Sequence, residues 1–166
     1  MNGARLISSS VSVFPLAFTL LMSAMLAFGQ QSSPAAPKDS QAQKSPAREA
    51  EEAFRKGEQF SEKKNYKEAM RWYRIAAEKG HLESQSNVGM FYVAGMGVPK
   101  DVAEGVKWLR KAADQGHEVA QRNMGFMYLQ GIGVPQDRAE AIRWLRKAAE
   151  KGDDEAKAAL KMIGEK

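Results

Sequence analysis

The sequence predicts an all-α solenoid of stacked helix-turn-helix repeats, about three hairpins plus a C-terminal capping helix. Three observations carry that expectation. The chain echoes itself at an interval of 36 residues: Trp72, Trp108 and Trp144; Gly80, Gly116 and Gly152; Gly89 with Gly125, Tyr92 with Tyr128, Pro99 with Pro135. A fixed period of this length marks units that cannot bury their apolar face alone and must stack. Within a unit the apolar residues recur at helical spacing, as in Val102, Val106, Leu109, Ala112 and Ala113. Start and stop signals fall in the same register. Asn65 with Glu68, Asp101 with Glu104 and Asp137 with Glu140 have the spacing of a capping box. Gly80, Gly116 and Gly152 close the helices that follow.

At the start of the chain, Arg5 precedes an apolar run from Val11 to Phe28, and no acidic residue occurs before Asp39. Ala27 and Gly29 have the small-residue spacing of a cleavage site, so residues 1–29 read as a signal peptide. The expected location is secreted or periplasmic, with no stable membrane insertion after cleavage. The alternative is an uncleaved membrane anchor, for which a run of about 18 residues is borderline. Residues 30–46, with Pro34, Pro37 and Pro46 among Ser, Gln and Ala, read as a disordered linker. The chain has no cysteine, so stability rests on helix packing without disulfides. Its net charge of +5 and pI near 9.4 allow weak attraction to anions and specify none.

The repeat domain occupies residues 47–166, with hairpins over about 47–79, 80–115 and 116–151 and a cap over 152–166. First helices are expected near 81–94 and 117–130, with Val88, Phe91 or Tyr92, Met124 and Tyr128 buried. Gly89 and Gly125 lie mid-helix, where glycine costs about 1 kcal/mol against alanine. The expected compensation is close approach of the partner helix carrying Trp108 or Trp144. The loops "AGMGVPKD" (94–101) and "QGIGVPQD" (130–137) read as helix connections. Their glycines permit unusual backbone angles, Val98 plugs the hairpin end, and Pro99 blocks premature helix. A phosphate cradle would need a preceding strand and a lysine inside a full glycine pattern, and neither is present.

"NVGMFYVAGMGVPKDVAEGVKWLRKAADQGH" and "NMGFMYLQGIGVPQDRAEAIRWLRKAAEKGD" resemble the Sel-one-like repeat, a relative of the tetratricopeptide repeat. The resemblance covers residues 81–152. The preceding unit lacks the glycine–proline loop and resembles a plain tetratricopeptide repeat at Gly57, Phe60, Tyr66, Ala69, Tyr73 and Ala76. The family resemblance implies a right-handed solenoid whose first helices line a concave groove that binds extended peptides or partner proteins. Carried over residue by residue, it places Arg55, Asn87 and Asn123 at groove-facing polar positions, with Met90, Arg122 and Phe126 beside them. An asparagine there can hold a peptide backbone through both its donor and its acceptor.

No catalytic or cofactor-binding set emerges. His81 and His117 sit at equivalent helix starts, without the convergent ligands a metal site needs. Ser61–Lys64, "SEKK", fits a Ser-x-x-Lys pattern but falls where the first hairpin turns. Glu51–Glu52 and Asp153–Asp154 are expected on exposed helix starts, where acidic residues favour the dipole. Arg71, Lys107, Arg110, Lys111, Arg143, Arg146 and Lys147 fall on second helices, with tryptophans whose regular position says core, so no nucleic acid is expected as partner. The function expected is an exported, non-catalytic adaptor or scaffold that binds a protein or peptide in its groove. The alternative is a cell-wall enzyme or a muropeptide- or β-lactam-binding protein of the periplasm. Resembling proteins of that kind often carry a disulfide per repeat, which is absent here.

Overall fold

The computed structural model describes residues 45–165. The signal peptide and nearly all of the linker lie outside the described residues. Among the described residues seven helices follow one another: α1 (Pro46–Glu62), α2 (Tyr66–Glu78), α3 (Leu82–Ala94), α4 (Val102–Asp114), α5 (Glu118–Gln130), α6 (Arg138–Glu150) and α7 (Asp154–Met162). Consecutive pairs α1–α2, α3–α4 and α5–α6 pack most extensively, and α7 closes against α6. The first helices α3 and α5 also touch each other directly. Helix α1 starts at Pro46 with Ser45 as its cap, so it takes the last residue assigned to the linker.

The pairing of helices within each hairpin depends on a glycine of the first helix, joined in the second hairpin by Gly105 of α4. A Cβ added at Gly57 would fall 2.5 Å from the Tyr73 ring. At Gly89 it would fall 2.6 Å from Leu109 Cγ and 2.9 Å from the Gly105 carbonyl, and at Gly125 2.6 Å from Leu145 Cγ. The close approach expected of these glycines is present, and its partner is the helix that carries Trp108 or Trp144. The next residue along, Leu109 or Leu145, fills the space, and the tryptophans stand to the side. Trp108 is only half-buried and joins the cluster of the first hairpin. Trp144 is the buried one, at 2% exposure. Cover from the same helix differs too. Lys147 and Arg143 lie over the Trp144 ring at 4.3 and 5.4 Å, whereas Lys111 lies over Trp108 at 5.1 Å.

Helix starts also differ from a capping box in one respect. The Asp101 carboxylate accepts from Glu104 N at 2.9 Å, and Asp137 accepts from Ala139 N and Glu140 N. No reciprocal bond from the glutamate forms. The cap residue's own N–H instead donates to the preceding helix, Asp101 N to Tyr92 O and Asp137 N to Tyr128 O, both at 3.0 Å. That frees Glu104 and Glu140 to pair with Lys107 and Arg143 on the surface.

The glycine–proline loops face the preceding hairpin. Gly97 has φ +71° and lies so close to Tyr66 O that a Cβ would sit 2.3 Å away. Gly133 lies against Val102 and Val106 in the same manner. Val98 and Val134 pack on the core of the hairpin before theirs. These loops turn a corner and join neighbouring hairpins.

Hairpins are further tied by side chains that the tryptophan–glycine echo does not single out. Gln85 is fully buried and donates to Ala77 O at 3.1 Å, while its oxygen accepts from Gln115. Gln121, its equivalent, donates to Ala113 O at 3.0 Å. Each therefore adds a side-chain bond to a carbonyl near the end of the preceding second helix, which also accepts from the backbone N–H of Gly80 or Gly116. Arg74 bonds the Tyr92 hydroxyl and Arg110 the Tyr128 hydroxyl, linking second helix to next first helix.

This packing sets the expected cost of three substitutions. Gly89→Ala, despite the helix propensity it gains, is expected to destabilise by about 1–3 kcal/mol through overpacking against backbone. Trp144→Ala is expected to cost about 3–5 kcal/mol as a cavity, and half-buried Trp108→Ala about 1–2 kcal/mol. Urea denaturation of the three variants checks both magnitudes and order.

Candidate functional site

Residues one helical turn apart share a face, so Glu83, Asn87 and Met90 line one stripe of α3, and Val119, Asn123 and Phe126 line the matching stripe of α5. Where α3 and α5 meet, these stripes border a recess of about 390 Å³. Met90 and Val93 form one wall, Asn123, Phe126, Met127 and Gln130 the other, and Ile132 from the following loop closes the end. Met90 and Ile132 are among the few large apolar side chains left exposed, at 36% and 38%. Phe126 is half-buried and anchored from behind by the cluster of Leu145, Ala148, Ala156 and Ala159. The recess is thus mainly apolar, with the Asn123 amide on its wall and Gln130 at its rim. Such a surface suits an apolar side chain with a backbone hydrogen bond beside it.

Of the positions singled out from the sequence, Met90, Asn123 and Phe126 come together in this recess. Asn87 lies one turn before Met90 on the same face, half-buried, outside the recess itself. Arg55 sits on α1, exposed, with its Nε 2.9 Å from Glu51. Arg122 is committed elsewhere. It donates to Asp153 at 2.8 Å and lies 3.5 Å from Glu155, which binds α5 to α7. Its side chain is 18% exposed and that of Asp153 only 4%, so this pair is a joint between elements. The sequence places Asp153 on an exposed helix start, and the structure corrects this. Its carboxylate is buried because it both caps α7, accepting from Ala156 N at 2.8 Å, and receives Arg122. Glu51 and Glu52 lie a turn further in than a helix start, because α1 begins at Pro46.

The two histidines are helix caps. His81 Nδ1 accepts from Ser84 N at 3.2 Å, and His117 Nδ1 accepts from Ala120 N at 3.3 Å. His81 also stacks on Phe54 at 4.5 Å and reaches Glu51 at 3.4 Å, joining α1 to α3. An accepting Nδ1 cannot carry a proton, so the cap needs the neutral ring. Ser61 lies beside the Tyr73 hydroxyl, whose pKa it lowers against the effect of burial. Among the described residues no group of three or more His, Cys, Asp or Glu could hold a metal ion, and no helix is long and apolar enough to cross a membrane.

A second recess of similar size lies between α2 and the Gly97–Val98 loop. It is lined by charges of both signs, Lys67, Glu68, Arg71, Arg74 and Glu78, around Met70 and Ile75. Arg71 lies 3.7 Å from Glu68 and Arg74 bonds Tyr92, so these two guanidinium groups already have partners within the fold.

The comparisons with known proteins agree with this architecture. The Sel1 repeat family model matches residues 50–81, 82–117 and 119–153, more than half of the chain. The chain belongs to the Sel1 repeat family. All three hairpins are matched, including the first, whose loop is short. Among solved structures it is similar to a protective antigen of uropathogenic Escherichia coli strains with an SLR fold. The identity is 39% and the TM-score 0.64, over 68% of this chain and 25% of that one. It is equally similar to a Sel1 repeat protein from Oxalobacter formigenes, at 39% identity and TM-score 0.64, over 72% of this chain and 49% of that one. The chain therefore spans about a quarter and about half of these relatives. Helicobacter pylori cysteine rich protein B shares the fold at 18% identity and TM-score 0.54, over 69% of this chain and 96% of that one. Among curated proteins no sequence matches. Sel1 repeat proteins commonly serve as protein-interaction scaffolds.

The caps generate a pH prediction. Burial holds the His117 pKa below its usual 6.5, with Glu83 and Glu118 pulling the other way. The unfolded chain then takes up this proton first as pH falls. The stabilisation is complete above about pH 6.5 and is lost as pH falls through the lower, folded value. Thermal unfolding at pH 7.5 and pH 5.5 is expected to show a drop in Tm. The drop should shrink in His117→Asn, which keeps an acceptor at the cap without the titration. In a separate test, Arg122→Ala is expected to cost about 2 kcal/mol, since it strands a buried carboxylate. Proteolysis of that variant should begin in α7.

Proposed function

We propose that this Sel1 repeat protein is an exported, non-catalytic scaffold that binds a protein or peptide along the concave face of α1, α3 and α5. The observation that carries the reading is the recess between α3 and α5. It gathers Met90, Asn123 and Phe126 from two repeats into one apolar site with an amide on its wall. An extended segment could bury one side chain there and satisfy its backbone on Asn123, with Asn87 one turn along α3. Three hairpins give a short groove, which fits a contact of a few residues. Export rests on the leader-like first 29 residues, and N-terminal sequencing of the mature protein tests it directly.

Affinity capture from the native envelope fraction tests the binding reading, with Asn87→Ala/Asn123→Ala run beside the parent chain. A partner held by the parent and lost by the double variant is the expected result. A partner held equally by both would move the site off the groove. A thermal shift with muropeptides or β-lactams, and none with peptides, would favour the cell-wall reading instead.

A further inference from the structure

The groove is not uniform along its length. Gly57, Gly89 and Gly125 each face the second helix of their hairpin at 2.5–2.6 Å from a would-be Cβ, so the three first helices share one register. The residues that follow those glycines, Glu58, Met90 and Phe126, therefore occupy equivalent positions. At the α3–α5 end this position is apolar and borders the recess. At the α1 end it is a carboxylate. Glu62 lies one turn beyond Glu58 on α1, and Glu83 lies two turns before Met90 on α3.

Glu58 and Glu62 hold on α1 the positions that Phe126 and Gln130 hold beside the recess, and Glu83 shares the stripe of Asn87 and Met90 on α3. All three act on the Tyr73 hydroxyl, whose pKa is raised first by burial and then by these carboxylates. None of the three forms an ion pair among the described residues, whereas Glu51, on the same face of α1, is paired with Arg55. The chain as a whole carries a net charge of +5, and the second helices display Arg71, Lys107 and Arg143. Arg55, the cation on the same stripe, is already paired with Glu51, so Glu58, Glu62 and Glu83 leave this end net acidic and favourable to a cation.

Resting on the groove reading, we propose that the occupant is a short extended peptide segment with Lys or Arg at one end and a large apolar side chain at the other. The apolar side chain sits between Met90 and Phe126. The cations lie over Glu58, Glu62 and Glu83. Neighbouring helices pack about 8–10 Å apart, so the recess lies roughly 12–15 Å from α1. An extended chain covers that distance in about four residues.

The probe is a fluorescent synthetic peptide of Lys-Arg, about four Gly/Ser residues and Leu-Phe, made in both chain directions. Anisotropy with the full chain is the readout. At least one direction is expected to bind, and binding is expected to weaken about tenfold in Glu58→Gln/Glu83→Gln and to weaken with added salt. Both changes are on the surface, and circular dichroism confirms that the variant is folded. Equal binding of a peptide with Glu-Glu in place of Lys-Arg, abolished by Phe126→Ser, would overturn the charge inference while leaving the groove reading standing. Binding of the basic peptide that neither Phe126→Ser nor the glutamate changes affect would overturn both. Absence of binding by every peptide would overturn the inference too.

Discussion

The close approach of paired helices at a glycine is the constraint on which the rest depends. A mid-helix glycine sacrifices helix propensity, and here it lets Tyr73, Leu109 or Leu145 lie where a Cβ would otherwise be. The contact fixes the rotation of each first helix about its axis. Once that rotation is set, Val88 and Phe91 on α3 and Met124 and Met127 on α5 face the core. The remaining stripe, from Arg55 and Glu58 through Asn87 and Met90 to Asn123 and Phe126, is left on the open side. The groove is a consequence of core packing carried over three repeats.

Stacking then needs glue between hairpins, and this chain uses polar groups for much of it. Gln85 and Gln121 reach back to carbonyls at the end of the preceding second helix. Arg74 and Arg110 reach forward to tyrosine hydroxyls. His81 and His117 cap the next helix while wedged at the junction. At the far end the pattern changes. Arg146 pairs with Glu165, and Arg122 with Asp153. Lys161 stands at the position of Gly89 and Gly125, so no second helix can approach α7 as closely as in the hairpins.

Much of this is legible in the sequence because it repeats. The 36-residue echo marks hairpins two and three, their caps and their glycine stops, and the first hairpin is recognisable despite its missing loop. Family register singles out six positions on the first helices, and three of them, Met90, Asn123 and Phe126, line the recess. Other features depend on distances between hairpins, which periodicity within one helix does not encode. The burial of Trp144 but not Trp108 is one case. The commitment of Arg122 to Asp153 is another, since the two are 31 residues apart and belong to different units. Gln85 and Gln121 do carry a signal, as glutamines matched at the repeat interval near the start of a first helix. Their role shows only when the carbonyls beneath them are in view.

The central claim is that the open face of the first helices is the surface that meets a partner. Site-specific photo-crosslinking in the native cells tests it most directly, because the adduct itself reveals what the partner is. A photoreactive phenylalanine analogue at Phe126 changes the groove wall little, and the same analogue at Lys107 reports on the exposed side of α4. The account predicts an adduct from position 126 and none from position 107. An adduct from position 107 alone would contradict it.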